Sequence, residues 1–596
     1  MPHTVNCQID HLSVNIQPGA TILEAARSIH IQIPTLCYHS DLCVAGNCRL
    51  CMVEQVGADR LLPACATPVT EGMEILTNSQ KVRHARKVML ELLMSEHRSD
   101  CTHCYKNGRC ELQNLASEYL VQDGRFIDLV PFKNYTIDDL SPSIIKDDAK
   151  CIRCQRCVRT CAEIQAVSAL AVAHKGAEMK ISTFFDLPMA EVVCTNCGQC
   201  VTHCPTGALV EKNYIDAVWQ AMDDDARHVV VQTAPAVRIA LGEALGLEPG
   251  QIVTGKMVAA LRRLGFDSVL DTDFSADLTI IEEGHELLQR LREVIRDKNP
   301  QVKLPMTTSC SPGWIKFLEH LYPDLLPHLS TAKSPQQMFG ALAKTYYARR
   351  IGMDAKNMVS VSVMPCTAKK FEAARPEMCA SGFRDVDYVL TTRELAMMIR
   401  QAGIDFLSLP DDEFDSIMGQ SSGAGVIFGA TGGVMEAALR TVYEVVTGRE
   451  VPFDGLNIVP VRGLEQVKEA ALTISSPLPE WGFLDGVTLK TCVVHGLAGA
   501  REVMKKVADG SCDYHFIEIM ACPGGCLGGG GQPMPVSDHV REMRARAIYR
   551  DDAGKAIRKS HENPDVVKLY EDFLKEPLGH LSHQLLHTHY VARKRY

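Results

Sequence analysis

No apolar run in this 596-residue chain approaches the roughly 18 residues that a membrane-crossing helix needs, so a span is not expected. There is no basic stripe either. The formal net charge is -10, and beyond the short tail Arg593-Lys594-Arg595 the cations are dispersed, which argues against nucleic acid as a partner. The first residues, Met-Pro-His-Thr-Val-Asn, carry neither the basic nor the apolar segment of a secretory signal, and a cytoplasmic protein is expected. A dinucleotide fingerprint is missing too. Ser422-Gly423-Ala424-Gly425 and Gly429-Ala430-Thr431-Gly432-Gly433 resemble nucleotide loops, but the G-x-G-x-x-G spacing is incomplete and the first lacks the ribose-binding acid about 20 residues on. What remains, 46% hydrophobic and 22% charged residues, is ordinary for globular protein, and the length implies several domains.

What stands out is sulfur. In a reducing compartment 24 cysteines are not expected to be disulfides, and metal binding becomes the default. The first 79 residues hold Cys37-x10-Cys48-x2-Cys51-x13-Cys65, on loops between short alternating segments such as Val14-Asn15-Ile16 and a helical piece near Ile22 to Ile29. A tight pair with two outliers suits a 2Fe-2S cluster, while Cys43-x4-Cys48-x2-Cys51 also fits plant-type spacing, so spacing leaves Cys37 and Cys43 both open. After a helix predicted over Val82 to Ser95 comes His97-x3-Cys101-x2-Cys104-x5-Cys110, a set that suits zinc or an iron-sulfur cluster. Residues 112 to 146 read as connection.

Two runs then repeat one pattern: Cys151, Cys154, Cys157 and Cys161, and Cys194, Cys197, Cys200 and Cys204 before Pro205. This is the bacterial ferredoxin spacing, in which the fourth cysteine of each run ligates the other run's cluster. Cys151, Cys154, Cys157 and Cys204 are expected to hold one 4Fe-4S cube, and Cys194, Cys197, Cys200 and Cys161 the other. The first run ends in Ala162 where a proline is usual. If the His97 set also holds iron and sulfur, fifteen cysteines and one histidine make four clusters in series, an electron wire that needs chemistry at one end.

From about Arg227 the chain alternates strands and helices. Val229-Val230-Val231 leads into Ala234-Pro235 and a helical stretch, Val359 to Val363 into Met364-Pro365-Cys366, Val386 to Leu390 into a helix, Cys492-Val493-Val494 into Gly496, and Tyr514 to Ile519 into a loop with Cys522 and Cys526. Such alternation predicts parallel, doubly wound sheet with ligands beyond the carboxyl ends of the strands, where Cys366 and Cys522 fall. Glycines flank Cys522 and Cys526 and let backbone approach something bulky; a structural zinc loop is the plainer reading of that stretch alone. Glu283, Glu286 and Arg290 share one face of a predicted helix, which by pattern alone reads as a solvated charged face. The spare cysteines Cys7, Cys43, Cys379, Cys492 and Cys512 read as buried small hydrophobes.

Thr308-Ser309-Cys310-Ser311-Pro312-Gly313-Trp314, the segment from Met364-Pro365-Cys366 to Glu372, and Glu518-Ile519-Met520-Ala521-Cys522-Pro523-Gly524-Gly525-Cys526 resemble the three motifs of iron-only (FeFe) hydrogenases. The front end resembles the same family and the large iron-sulfur subunit of complex I. The resemblance implies a multidomain α+β and α/β protein: a β-grasp 2Fe-2S domain (1-79) with Cys37 rather than Cys43 as ligand, a His97/Cys3 4Fe-4S domain (80-119), a two-cluster ferredoxin-like domain (140-218), and an α/β H-cluster domain with a small-subunit-like tail (227-596). It further implies that Cys366, Cys522 and Cys526 hold the 4Fe-4S part of an H-cluster, Cys526 bridging to a two-iron subsite with carbonyl, cyanide and dithiolate ligands.

By the same resemblance Glu283, Glu286, Arg290 and Ser330 form a proton path ending at Cys310, Lys369 and Gln336 sit near the diatomic ligands, and Pro235, Met364 and Met520 wall the site. The family's first motif often has two adjacent cysteines, the first relaying protons and the second ligating the cube; here Ser311 holds the second place, so Cys310 is expected at the H-cluster as relay or as displaced ligand. The implied reaction is 2 H+ + 2 e- in equilibrium with H2. Implied partners are flavin- and iron-sulfur-containing subunits that handle NAD(P), or ferredoxin, together with hydrogenase maturation proteins. A complex I-like electron-transfer subunit would share only residues 1 to about 210, and a hydrogen sensor or assembly factor would keep the Cys522/Cys526 loop without needing turnover.

Overall fold

The computed structural model describes residues 4-121, 125, 126 and 135-595. It divides into two compact units, one made of Met1–Glu163, Ser168–Met189 and His203–Val210, the other of Ile164–Val167, Ala190–Thr202 and Glu211–Tyr596.

In the first unit Val5–Ile9 pairs antiparallel with Leu12–Ile16 and parallel with Met73–Leu76, and Met52–Gln55 and Leu61–Pro63 complete a five-stranded sheet. Alternation along the strands turns Cys7, Ile9 and Val14 inward. Helix Ile22–Ser28 starts in a capping box between Thr21 and Glu24 and adds Ile22, Leu23, Ala25 and Ala26 to the same core, a β-grasp-like arrangement. Ser79 Oγ accepts from Val82 N and caps helix Gln80–Ser95, which starts two residues before the predicted one. The stretch 112-146 is not all connection. Helix Glu111–Glu118 runs into it and strand Ile144–Asp147 ends it, while residues 122-124 and 127-134 lie outside the described residues.

The second unit contains two four-stranded sheets. One is wholly parallel, in the order Ser268–Asp271, His228–Thr233, Met358–Met364, Tyr388–Thr391, with Thr233 beside Val363 and Met364 beside Thr391. The other runs Met306–Thr307, Phe516–Met520, Thr488–His495, Val467–Thr473; its first three strands are parallel, and Val467–Thr473 is an antiparallel edge that the alternation had not predicted. The strand predicted over Val386 to Leu390 is present, but pairing starts only at Tyr388, because the Asp385 carboxylate accepts from Ala380 N and Ser381 N and holds that stretch in a turn. After Ala234-Pro235 the chain makes turns and only a four-residue helix, Leu241–Ala244.

Helix Thr272–Leu291 leaves the strand Ser268–Asp271 directly and packs on Pro335–Leu342 and Gly433–Thr447. It is buried on nearly every side, carboxylates included. Most of those acids have partners: Asp271 and Asp273 meet Arg238 at 2.6 and 3.1 Å, and Glu282 accepts from Tyr570 Oη at 2.5 Å, Leu578 N at 2.9 Å and His587 Nε2 at 3.1 Å. Large apolar clusters cover it, each fully buried Leu, Ile or Val contributing about 1.5–3 kcal/mol. That burial offsets the cost of taking its polar groups out of water.

Candidate active site

Parallel strands that end at one edge bring their following loops together. Cys366 comes two residues after Met364, Cys522 two residues after Met520, and Cys310 three residues after Thr307. With Ser311, Cys526, Pro235, Gln336, Lys369, Met364 and Met520 they line one cavity. Every residue predicted to ligate or wall the H-cluster is therefore at this cavity. Phe428, Thr272 and Ala276 line it as well, and no sequence motif pointed to them. Of the two glycine-rich stretches dismissed as nucleotide loops, Phe428 between them is the part that reaches the cavity.

The Cys522 loop needs its glycines. Gly524 and Gly525 have φ of +72° and +76°, which side chains resist, and a Cβ on Gly529 would stand 2.2 Å from Pro365 O. Burial pushes all four thiols upward, Cys526 to about 12 and Cys310 well above its ordinary value. A thiolate is thus disfavoured here unless a cation compensates it, and an iron-sulfur core does so. Three convergent cysteines, a serine oxygen, an apolar wall and one lysine fit an H-cluster. Lys369 Nζ donates to Cys310 O at 3.1 Å and Glu372 Oε2 at 2.9 Å. Glu372 also accepts from Ser334 Oγ at 2.8 Å and Gln336 Nε2 at 3.0 Å, while Gln336 Oε1 accepts from Ser362 Oγ at 2.7 Å. Glu372 is a positioning group that the sequence reading passed over, though its i+3 spacing from Lys369 on helix Ala368–Ala373 was the signal.

Glu283, Glu286 and Arg290 do not form a solvated face. Glu283 is 1% exposed and Glu286 8% exposed. Glu283 Oε1 accepts from Ser309 N at 3.3 Å, next to Cys310, and among the described residues its Oε2 has no hydrogen-bond partner. Burial first, then the neighbouring Glu286, pushes its carboxyl up to about 8, against the nearby Ser330 hydroxyl, which lowers it. Ser330 Oγ donates to Glu286 at 2.9 Å, and Glu286 pairs with Arg290 at 2.6 Å, where the side chains begin to meet water. Cys310, Glu283, Ser330, Glu286 and Arg290 thus form one succession.

The accessory sites group as well. Cys51 and Cys65 Sγ lie 3.3 Å apart, and Cys48 N approaches Cys37 Sγ at 3.5 Å. Cys43 is exposed and its thiol donates to Glu163 at 2.7 Å. Cys379 is exposed and Cys512 half-buried, so of the spare cysteines only Cys7 and Cys492 are buried as expected; loop positions gave the others no sheet to pack on. His97 Nδ1 faces Lys150 O at 3.1 Å, which as a donor leaves Nε2 with the lone pair a metal needs. The Cys101, Cys104 and Cys110 loop closes on Gly207, where a Cβ would stand 2.5 Å from Cys104 Sγ. Cys151, Cys154, Cys157 and Cys204 line one cavity. Cys161 Sγ accepts from Ala169 N at 3.3 Å and Cys194 Sγ from Asn196 N at 3.4 Å, contacts of the kind that ligating sulfurs accept. Cys197 lines the same cavity as Cys366, Cys522 and Cys526, near Cys522.

Comparison with known proteins agrees. Residues 227-530 match the iron only hydrogenase large subunit, C-terminal domain, and 538-593 the iron hydrogenase small subunit. Residues 3-80 match a 2Fe-2S iron-sulfur cluster binding domain, 86-125 the NADH-ubiquinone oxidoreductase-G iron-sulfur binding region, and 141-210 the ferredoxin-like domain of NADH-quinone oxidoreductase subunit 3. The chain is 51% identical to the NADP-reducing hydrogenase subunit HndD of Solidesulfovibrio fructosivorans, over 98% of this chain and 99% of that protein, and 40% identical to iron hydrogenase 1 of Clostridium pasteurianum over the same shares. A variant of apo [FeFe]-hydrogenase HydA1 from Chlamydomonas reinhardtii superposes with TM-score 0.58 at 45% identity, over 64% of this chain and 100% of that one. Sheets whose strand ends converge on buried thiols, preceded by 2Fe-2S and 4Fe-4S domains, have one explanation in these relatives: the chain belongs to the iron-only hydrogenases, oxidoreductases acting on H2 at an H-cluster fed by an iron-sulfur relay.

Proposed function

We propose that this hydrogenase is the catalytic subunit of a multisubunit NADP-linked complex, in which flavin- and iron-sulfur-containing subunits handle the nicotinamide. The observation that carries this reading is near full-length likeness, 51% identical, to a protein named as a subunit of an NADP-reducing hydrogenase. Cytoplasmic location belongs to the same reading, since so many cysteines suit a reducing compartment, and hydrogenase maturation proteins would assemble the site.

When bound, the H-cluster supplies the iron at which H2 is formed or cleaved and exchanges two electrons. The chain does the rest. Cys366, Cys522 and Cys526 hold the cube; Cys310 gives and takes the proton at the cavity wall; Glu283, Ser330, Glu286 and Arg290 carry it outward. Proton transfer through positioned groups contributes about 10²–10⁴-fold in rate. Lys369, fixed by Glu372, puts a cation at the cavity wall that would face the diatomic ligands of a bound H-cluster, and Pro235, Met364 and Met520 would exclude water. The 2Fe-2S, His97-ligated and twin ferredoxin-like clusters, when held by the residues named above, would supply the electrons, and Cys197 lines the cavity near Cys522.

The purified, matured chain should evolve H2 from an artificial reductant and should leave NADP+ unreduced under H2 until flavoprotein subunits are added. Robust NADP+ reduction by the chain alone, or full turnover supported by ferredoxin alone with no gain from added subunits, would overturn the subunit reading.

A further inference from the structure

A 4Fe-4S cube takes four protein ligands, and the H-cluster cavity offers three cysteines on the loops that close over it, Cys366, Cys522 and Cys526. The first motif adds two more donor side chains to the cavity lining, the neighbours Cys310 and Ser311. Ser311 has extended backbone, φ -103° and ψ 101°, and its side chain and that of Cys310 meet different neighbours. They serve different parts of the site. The Cys310 carbonyl accepts from Lys369, and its thiol has Glu283, Lys369, Glu518 and Cys526 as charged neighbours, which puts it on the proton side of the cavity.

Ser311 faces the Cys522 loop. It occupies the N-cap position of helix Pro312–Leu321, a place where serine ordinarily bonds the first turn, yet its side chain makes no cap hydrogen bond. Its Oγ instead accepts from Ala521 N at 3.1 Å, the residue before Cys522, while Ser311 lines the same cavity as the three cysteines. An oxygen turned away from its own helix, held at the cavity by a backbone N–H, is in the environment that stabilises an anionic ligand atom.

We propose that Ser311 Oγ is the fourth ligand of the H-cluster cube, which this chain holds with three thiolates and one alkoxide. This rests on the H-cluster reading above. Ligation forms one Fe–O bond and breaks the serine O–H bond, the proton leaving to solvent as the cube assembles; no electron is transferred. Alkoxide is a harder donor than thiolate and favours the more oxidised cube. The cube should therefore sit at lower potential than a four-thiolate cube in the same cavity, and Cys310 is left to the proton.

The test uses the full chain with its accessory clusters, made without maturation proteins so that the cube is present and the two-iron subsite is not. Subtracting the reduced-state paramagnetic resonance spectrum of a Cys366→Ala/Cys522→Ala double variant isolates the cube's own signal. Ser311→Ala should change that signal and open the cube to added cyanide, which the unaltered chain should not bind. Ser311→Cys should keep the iron, raise the cube's potential and stay closed to cyanide. Cys310→Ala should leave the cube's signal and potential unchanged. The proposal falls if Ser311→Ala leaves signal and potential as they were, if the unaltered chain binds cyanide at the cube, or if Cys310→Ala removes the cube. If instead the double variant keeps the full iron content and spectrum of the unaltered chain, no cube sits in this cavity and the H-cluster reading itself fails.

Discussion

A carboxyl group buried without a cation keeps its proton, and Glu283 is in that position, with one oxygen on Ser309 N and the other unpartnered among the described residues. Burial and Glu286 hold its carboxyl up to about 8, so at neutral pH it should be a protonated acid. A carboxylic-acid carbonyl band in the infrared spectrum should therefore be lost near pH 8 and be absent from Glu283→Gln; a band that disappears below pH 6 would contradict this. The sign for stability follows. Between about pH 4.5 and 8 the folded chain keeps a proton that the unfolded chain has lost, so this residue's contribution falls as pH rises through that window and is constant above it. Glu283→Gln should also slow H2 evolution by about 10²–10⁴-fold, the size of a lost proton-transfer group, with the cube's spectrum intact. Cys310→Ala should do the same while the carbonyl and cyanide bands of the matured site persist. Normal turnover in the Cys310 variant would remove it from the proton path.

At the scale of elements, the site depends on loops that touch backbone to backbone. Gly529 passes so near Pro365 that an added methyl would stand 2.2 Å from its carbonyl and 3.1 Å from Cys526 O. Gly529→Ala must push apart the loops carrying Cys366 and Cys526. The expected outcome is a loss of about 1–3 kcal/mol from overpacking and loss of the cube's resonance signal, with the accessory clusters retained. Iron content and spectra separate this from general misfolding, which would lower every cluster together. The strands behind these loops were readable in the sequence, because runs such as Val359 to Val363 are buried on both faces and so are apolar throughout. The edge strand Val467–Thr473 was not, since its exposed residues alternate with buried Lys468 and Leu472 and it carries no continuous apolar run. Nor was the length of helix Thr272–Leu291, whose buried acids mask the usual two-faced pattern.

Across the whole molecule, the two units differ in what holds them. The core of the first unit's sheet includes Cys7, Cys51 and Cys65 among a small set of aliphatic residues, and a second small cluster is built round Cys37, Cys48, Cys110 and Cys154. Cysteines expected to hold clusters thus sit inside both of these small cores. The second unit has large aliphatic clusters around both sheets. Metal ligation contributes on the order of 10 kcal/mol in some small sites, so chain made without iron and sulfide should lose order first in the part up to about residue 210. Limited proteolysis of such protein should cut there and spare a C-terminal fragment; cleavage confined to the C-terminal unit would contradict it.

The sequence by itself determined the cysteine pattern and the family. Cysteine spacing is a covalent property of the chain, since two or three intervening residues set how far apart thiols can reach, and the three hydrogenase motifs are short enough to be read locally. It also determined that strands would end at Cys366 and Cys522, because apolar runs and the glycines after them are local signals. Only the tertiary structure decided the rest. Parallel register brings loops more than 200 residues apart in sequence to one edge, as when Ile519 N donates to Thr308 Oγ and Ala521 N to Ser311 Oγ. Burial on nearly every side took an apparently solvated row of acids inside the fold. The neighbours that meet Cys310 and Ser311 were likewise invisible in the order of residues, because the contact of Ser311 Oγ with Ala521 N depends on what the folded chain places beside it.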